Sequence, residues 1–340
     1  MANQYPFSEG PTPGKAININ HHVKWVRLPL PFSLDHINCY LIRDLEGWCV
    51  VDTGMNGKAG IALWQALIAT ELEGLPITRV IATHHHPDHI GLAGWFCDTY
   101  RVPFFTSEAE YFYTRTFHAP KRKDRYWEAV AYFQRTGMRE DSTQALLSDN
   151  NFHHMVWDVP SAFHRLQDGT VLQIGSNSWR AITTRGHAPE HVSLYCEDLD
   201  LLISGDQVLP EITSNVSISS TQPDANPLQD WFEAHEKIQQ LVPDSVLVLP
   251  AHQLPFYGLH DRLDAVVAHH HERLDHILML CQKPNNAQTV TNQLFDREMD
   301  SFQNFLAVGE CMAHINWLMS QGRMRRAEID GVWQFHSVCA

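Results

Sequence analysis

The chain has no apolar run long enough to cross a bilayer, and it has no CxxC pair. Its unbroken apolar runs, such as Val246 to Leu249, are strand-sized, whereas a membrane-spanning helix needs roughly 20 apolar residues. The segment Met1 to Pro6 lacks a charged region followed by an apolar one, so no secretory signal is expected. The seven cysteines are odd in number and widely spaced, which favours reduced thiols. These absences predict a cytoplasmic protein with no membrane partner.

Basic residues are also scarce relative to acidic ones. The chain has 25 Lys and Arg against 39 Asp and Glu, which gives a formal net charge of −14. A nucleic-acid partner is therefore disfavoured, although a local basic patch could still bind one. Two basic runs are present, Lys121-Arg122-Lys123 and the group Arg323, Arg325 and Arg326. Each is interpreted first as a solvated face and second as a docking site for phosphate.

The order of predicted elements indicates an α/β (α+β) protein of 340 residues in two domains. Short predicted strands and helices fill residues 1–258, with an insertion at about 106–165 that is rich in aromatic residues. The insertion carries helical spacing at 107–117 and 125–138 and could roof an active site. Residues 259–340 contain three predicted helices and a hairpin that turns at Asp330-Gly331, which suggests a winged-helix-like domain.

The strongest motif is the run from His84 to His89, with the sequence HHHPDH. It lies between a predicted strand at 78–83 and a predicted helix at about 88–99. Side chains two residues apart at the end of a strand point the same way, so His84 and His86 can reach one metal. Asp88 and His89 lie on the next turn and can reach a second metal. Imidazole nitrogen and carboxylate oxygen are ligands that zinc and other borderline divalent metals bind.

Three further candidate ligands each follow a predicted strand. His187 comes after the strand 178–184 and a glycine that permits a sharp turn. Asp206 follows the strand 200–204, and His252 follows the strand 245–249. With the HHHPDH run they give five histidines and two carboxylates, a set that fits two metals with open positions for water.

Together these motifs resemble those of the metallo-β-lactamase superfamily over about residues 22–258. The HxHxDH motif and the later motifs match at these positions: His84, His86, Asp88, His89, His187, Asp206 and His252. Asp52-Thr53-Gly54 matches the early aspartate turn. The resemblance implies an αββα sandwich with the metals at one edge of two facing sheets.

The resemblance also implies a role for each residue. His84, His86 and His187 would hold the first metal, and Asp88, His89 and His252 would hold the second. Asp206 would bridge the two metals, Asp88 would also act in catalysis by orienting the nucleophilic water, and Asp52 would support the site. The implied cofactors are two divalent metal ions, with zinc expected and iron or manganese also suited to these ligands. No other cofactor-binding residue is predicted.

The C-terminal part is similar to the winged-helix tail of the beta-lactamase-like protein 2 group, and the ligand set is similar to that of glyoxalase II-like enzymes. The similarity runs from His270 through Gly309-Glu310 and Ala313-His314 to the terminal hairpin. One motif departs from the family, since Ala251 precedes His252 where glycine is usual. Asp206 stands where many antibiotic-hydrolysing relatives have cysteine, so β-lactam hydrolysis is not expected as the main activity.

The leading hypothesis is a hydrolase of a small-molecule thioester, ester or lactone, such as an acyl-coenzyme A or glutathione thioester. Metal-bound hydroxide would attack the carbonyl carbon. The alternative is an endoribonuclease or phosphodiesterase that uses the same two metals. In a third hypothesis, the winged helix is an interaction or dimerisation module and catalysis is secondary. A homodimer could form through the helical parts. Iron would allow redox chemistry, although no flavin domain is visible.

Several other residues fit a structural role better than a catalytic one. Seven histidines are predicted to pack or to face solvent: His153, His154, His164, His269, His270, His271 and His276. His85 and His191 lie near the predicted ligands and are expected to support them or to have a structural role. The aromatic side chains of one helical stretch could pack or line a substrate channel: Tyr111, Phe112, Tyr113 and Phe117.

Overall fold

A computed structural model describes residues 3–32, 34–117, 127–139, 143 and 152–338 of the chain. Its strands are β1 Ala16–Asn18, β2 Val23–Pro29, β3 His36–Arg43, β4 Trp48–Val51, β5 Ile77–Ile81, β6 Phe104–Thr106, β7 His164–Arg165, β8 Val171–Ile174, β9 Asn177–Thr184, β10 His191–Cys196, β11 Leu201–Gly205, β12 Leu247–Pro250, β13 Met324–Ile329 and β14 Val332–Ser337. Its helices are α1 Lys58–Glu71, α2 Pro87–Ile90, α3 Ala93–Tyr100, α4 Glu108–Phe117, α5 Trp127–Arg135, α6 Phe152–Met155, α7 Pro227–Leu241, α8 Leu259–Leu280, α9 Ala287–Leu294 and α10 Ser301–Ser320. None of the described helices is long and apolar enough to cross a membrane.

Parts of the predicted insertion at 106–165 lie outside the described residues. The basic run Lys121-Arg122-Lys123 is among them, and so is the side chain of Phe117. The expectation that the insertion roofs the active site therefore stays a prediction.

The described residues form two compact units. Unit 1 comprises residues 1–119, 151–214 and 237–263, and unit 2 comprises 120–150, 215–236 and 264–340. The predicted boundary at residue 258 stays a prediction.

Two sheets form the centre of unit 1. The first has seven strands in the order β1-β2-β3-β4-β5-β6-β7, antiparallel up to β4 and parallel from β4 onward. The second has five strands in the order β12-β11-β10-β9-β8, antiparallel except for the parallel pair β11 and β12. This mixed α/β sandwich is the fold class that the sequence predicts.

Side chains alternate along β2 between two hydrophobic cores, as a strand buried on both faces requires. Val23 and Trp25 belong to the core that also takes residues of the second sheet, including Trp179 and Leu194. Val26 points the other way, into a core with helices α1 and α3. A third core packs the end of α7 and the start of α8 against the second sheet. Unit 1 therefore has four layers, with helices outside two sheets.

The strands of the sandwich bring their carboxyl ends to one edge. Strands β4 and β5 are parallel neighbours in the first sheet, and β9, β11 and β12 run in one direction in the second. The candidate site residues all follow the ends of these five strands: Asp52, His84, His86, Asp88, His89, His187, Asp206 and His252.

The single helix predicted at 88–99 is wrong, because the structure contains two helices there, α2 and α3. The break lies at Gly91, where an added Cβ would be 2.6 Å from the carbonyl oxygen of Gly54. The backbone N–H of Leu92 donates to that same carbonyl at 3.1 Å and to Thr53 Oγ1 at 3.0 Å. Contacts with the aspartate turn thus separate α2 from α3 and fix the position of the residues that follow the histidine motif.

Unit 2 contains α9, α10 and the hairpin of β13 and β14 around its own core. Helix α10 begins with a capping box, in which Asp300 accepts from the Gln303 N–H and the Gln303 side chain accepts from the Asp300 N–H. Asn285, just before α9, forms a bridge with Phe335 of β14. The predicted order of three helices and a hairpin is present, whereas its assignment as a winged helix stays a prediction.

A buried pair of histidines lies in the core of unit 2. His270 donates from Nδ1 to Nε2 of His314 at 3.0 Å, because Nδ1 of His314 donates to the Glu310 carbonyl oxygen. Burial lowers the pKa of His270 to about 2 and that of His314 to about 4. Burial raises the pKa of the Glu310 carboxyl to about 6, so that group opposes the histidines between about pH 4.5 and 6.

We predict that unit 2 loses stability as pH falls from 6.5 toward 4. The unfolded histidines take up protons in this window and the folded ones do not, and two histidines outweigh one glutamate. The variant His314→Gln, whose amide oxygen can still accept from His270, should lose about 2 kcal/mol less between pH 7 and pH 5. Urea unfolding at the two pH values measures this difference. The half-buried His276→Gln is the control, and an equal pH effect in both variants would contradict the prediction.

Candidate metal centre

The structure brings the seven predicted ligands into two adjacent groups at the carboxyl edge of the sandwich. In each group one ligand atom per residue lies within 4.8 Å of the others. The first group contains His84, His86, His187 and Asp206, and the second contains Asp88, His89 and His252.

In the first group, two imidazole nitrogens lie close to Nε2 of His84. His84 Nε2 lies 2.9 Å from His86 Nδ1 and 3.1 Å from His187 Nε2. Oδ2 of Asp206 completes the group, at 3.4 Å from His187 Nε2 and 3.9 Å from His84 Nε2. These four ligand atoms lie close enough together to hold one metal ion.

The second group is arranged around carboxylate oxygens. Oδ2 of Asp88 lies 3.6 Å from His89 Nε2 and 3.4 Å from His252 Nε2. Oδ1 of Asp206 lies 3.4 Å and 3.3 Å from the same two nitrogens. Asp206 therefore presents one oxygen to each group, which is the arrangement of a bridging ligand.

Three polar atoms at the second group test whether a cation fits. His89 Nε2, His252 Nε2 and Asp206 Oδ1 are buried, and none of them has a hydrogen-bond partner of normal geometry among the described residues. Buried polar atoms are almost always satisfied, so three unsatisfied ones that converge indicate a missing partner. Nitrogen and carboxylate oxygen donors make the cluster suited to binding divalent metal ions.

Hydrogen bonds behind the cluster fix which nitrogen of His89 and of His252 faces it. Nδ1 of His89 lies 2.8 Å from Oδ2 of Asp52, and Nδ1 of His252 donates to the His36 carbonyl oxygen at 2.7 Å. Both rings therefore turn Nε2 toward the cluster. Asp52 is itself held by the N–H and the hydroxyl of Thr83, at 2.8 and 2.9 Å.

The electrostatic environment differs between the two groups. Burial and neighbouring imidazoles lower the pKa of His84 and that of His86 well below the usual histidine range. Burial also acts to lower the pKa of His252, but Asp206 and Asp88 outweigh it and raise that pKa to about 9. His84 and His86 thus offer neutral imidazoles, whereas a metal that binds His252 must displace a proton.

His191 lies directly behind Asp206. Its Nε2 accepts from the backbone N–H of Asp206 at 3.2 Å, and its ring is 5.0 Å from the ring of His84. Gly205 precedes Asp206 at φ +53°, and an added Cβ there would lie 2.4 Å from the His191 ring. His191 supports the site from behind.

The aromatic residues of α4 have separate positions. Tyr111 is buried and stacks on Phe163 with ring centroids 4.0 Å apart, whereas Phe112 is exposed. Tyr113 lies beside the site, with its ring 5.2 Å from that of His85. Among the described side chains of this set, Tyr113 thus contacts the histidine motif, and a substrate channel lined by these rings stays a prediction.

The histidines given structural roles do not join the cluster. His270 packs in unit 2, and His269 and His271 are exposed. Two supporting residues were missed from the sequence, Thr83 and His36. His36 acts through its backbone carbonyl, which no residue pattern can reveal, whereas the position of Thr83 just before His84 was a usable signal.

Comparison with known proteins agrees with this geometry. The Metallo-beta-lactamase superfamily matches residues 33–252, and a family described as Metallo-beta-lactamase-like, C-terminal domain, matches residues 274–338. The chain therefore belongs to the metallo-beta-lactamase superfamily.

Individual relatives cover most of the chain. A beta-lactamase domain protein from Burkholderia ambifaria is 36% identical in sequence. Its crystal structure has a TM-score of 0.92 and covers 99% of this chain and 98% of that one. Probable metallo-hydrolase YqjP of Bacillus subtilis is 25% identical and covers 87% of this chain and 92% of its own length. The atrochrysone carboxyl ACP thioesterase of Aspergillus fumigatus is 23% identical over 73% of this chain and 44% of its own length. The finer placement in a beta-lactamase-like protein 2 or glyoxalase II-like group stays a prediction.

We predict that Asp52→Asn weakens metal binding at the second group by about 10-fold to 100-fold, the usual effect of losing a carboxylate behind a ligating histidine. Asp52 has φ 59°, a conformation that asparagine tolerates, so the turn itself should persist. Competition with a chromophoric chelator measures the affinity. Asp98→Asn, which changes a carboxylate bonded to Trp157 Nε1, is the control. Parent-like affinity in Asp52→Asn would show that His89 does not need this partner.

Proposed function

We propose that this chain is a dinuclear metallo-hydrolase that cleaves a small-molecule thioester or ester. The observation that carries the proposal is the Asp206 carboxylate, with one oxygen facing each ligand group. His84, His86 and His187 would hold one metal, Asp88, His89 and His252 the other, and Asp206 both. Two cations bound there would supply an acidified water as nucleophile and polarise the substrate carbonyl.

Asp88 has the position that proton transfer requires. Its carboxylate lies within 3.6 Å of two histidines in the second group, so it borders the space where the nucleophilic water would sit. Burial alone would raise the pKa of Asp88, but His89 and His252 outweigh it and hold that pKa below its usual range. An ionised carboxylate can orient the water and accept its proton as the carbonyl carbon is attacked.

A small acyl substrate fits the surroundings better than a nucleic acid. Tyr113 and His85 provide an aromatic wall beside the ligands. The similar Aspergillus protein carries the name of a thioesterase, which favours an acyl thioester as substrate.

Among the described residues of unit 2, two of the three hairpin arginines have an acidic partner. Helix α10 contains no lysine or arginine, and ten of its 20 residues are buried. In the hairpin, Arg326 lies 3.7 Å from Asp224 and stacks over Trp333, and Arg323 lies 3.3 Å from Asp275. Contact of Arg323 or Arg326 with a phosphate backbone would have to displace these partners, whereas Arg325 is exposed.

We predict turnover of acyl thioesters by the metal-loaded protein and a fall of about 100-fold or more in kcat for Asp88→Asn, the usual contribution of a positioned base. The panel contains acyl-coenzyme A, acyl-glutathione, a nitrophenyl ester, a lactone and single-stranded RNA. The protein is stripped with a chelator and reloaded separately with zinc, iron or manganese, so that each activity is assigned to a metal.

Asp198→Asn is the matched control, because this exposed aspartate lies in the turn before β11, at the opposite end of the strand from Asp206. It should retain parent activity. RNA cleavage that is lost in Asp88→Asn, without turnover of any ester or thioester, would replace the proposed function with that of a phosphodiesterase.

A further inference from the structure

The carboxylate of Glu110 is fully buried in the first turn of α4 and accepts three hydrogen bonds. Oε2 accepts from the backbone N–H of His85 at 2.9 Å and from its ring Nδ1 at 2.5 Å. Oε1 accepts from the backbone N–H of Glu190 at 2.6 Å. All three of these donors belong to two other chain segments.

These two segments carry the histidines of the first ligand group. His85 stands between His84 and His86, and Glu190 follows His187 by three residues. The two segments approach each other at the site, where His84 Nε2 and His187 Nε2 are 3.1 Å apart. One carboxylate thus connects the backbone on both sides of the first ligand group.

The His187 segment also accepts hydrogen bonds from the start of α4. Oε2 of Glu190 accepts from the Ala109 N–H at 3.0 Å, and the Glu190 carbonyl oxygen accepts from Ser107 Oγ at 2.6 Å. The position of α4 and that of the His187 segment are therefore fixed reciprocally. Burial acts to raise the pKa of the Glu110 carboxyl, but His85 and the two backbone N–H groups outweigh it and lower that pKa below its usual range.

We propose that Glu110 is a positioning residue for the first metal, because it sets the separation between the His84–His86 segment and the His187 segment. The inference rests on the proposed two-metal site and adds a requirement for a residue that no ligand motif contains. Glu110 touches neither metal ligands nor substrate, so it acts through His85 and Glu190.

The test uses the fact that an amide cannot accept all the hydrogen bonds of this carboxylate. Glutamine has one accepting oxygen, so its NH₂ group must face an N–H of one of the two segments. A buried donor opposite another donor forces the segments apart or leaves an unsatisfied group. Aspartate keeps the charge but is one methylene shorter, so it cannot reach both segments in their present positions.

The experiment titrates cobalt into metal-free protein and follows visible absorption and chelator competition, with folding checked by circular dichroism. Glu110→Gln and Glu110→Asp should each bind one of two metals about tenfold more weakly, the lower end of the range for outer groups of metal sites. The second metal should bind as in the parent.

Asp44→Asn is the matched control for loss of a buried carboxylate. Asp44 is also buried in unit 1, and it accepts from the N–H groups of Leu45 and Gly175 and pairs with Arg79. This variant should lose thermal stability while it binds both metals with parent affinity.

Four outcomes would overturn the proposal. Parent affinity for both metals in Glu110→Gln would do so, and if that variant fails to fold, parent affinity in Glu110→Asp would do the same. Equal metal loss in Asp44→Asn would show a general effect of destabilisation. A parent protein that does not bind two metals would remove the proposed function itself, a result distinct from the others because it needs no variant.

Discussion

The carboxylate of Asp206 lies between two sets of imidazoles at a mostly buried sheet edge, and the architecture of unit 1 serves this contact. A buried anion is costly unless opposite charge or several donors surround it. Here one oxygen faces His84 and His187 and the other faces His89 and His252. Two cations would satisfy both oxygens and the unpartnered nitrogens at once.

The sandwich makes this convergence possible because five strands end at one edge. The seven candidate ligand residues come from several segments of the chain, up to 168 residues apart, as from His84 to His252. The aspartate turn connects the ligand segments to the core. In this turn the Asp52 carboxylate accepts a hydrogen bond from the His89 ring. The Thr53 carbonyl oxygen accepts one from the indole N–H of Trp64 at 2.7 Å. Stability of the core and geometry of the site are therefore coupled through a few buried polar contacts.

The sequence was sufficient for the fold class and for the residues that approach one another at the site. Ligand residues at strand ends leave a local pattern, and the HHHPDH run after a β-branched strand is such a pattern. Glu110 leaves none, because a lone glutamate in an amphipathic helix has the same local sequence whether it faces solvent or the back of a metal site. The break at Gly91 was missed for a similar reason, since it depends on a carbonyl oxygen 37 residues earlier, at Gly54. Contacts made by backbone atoms across long separations are invisible to periodicity.

The most direct measurement of the central claim is a crystal structure of metal-loaded protein with anomalous scattering recorded on both sides of the metal absorption edge. The account predicts two anomalous peaks about 3.5–4 Å apart, the usual spacing of a two-metal site. Each peak should lie next to a different oxygen of Asp206, one among His84, His86 and His187 and the other among Asp88, His89 and His252. A single peak, or two peaks that do not share Asp206, would contradict it.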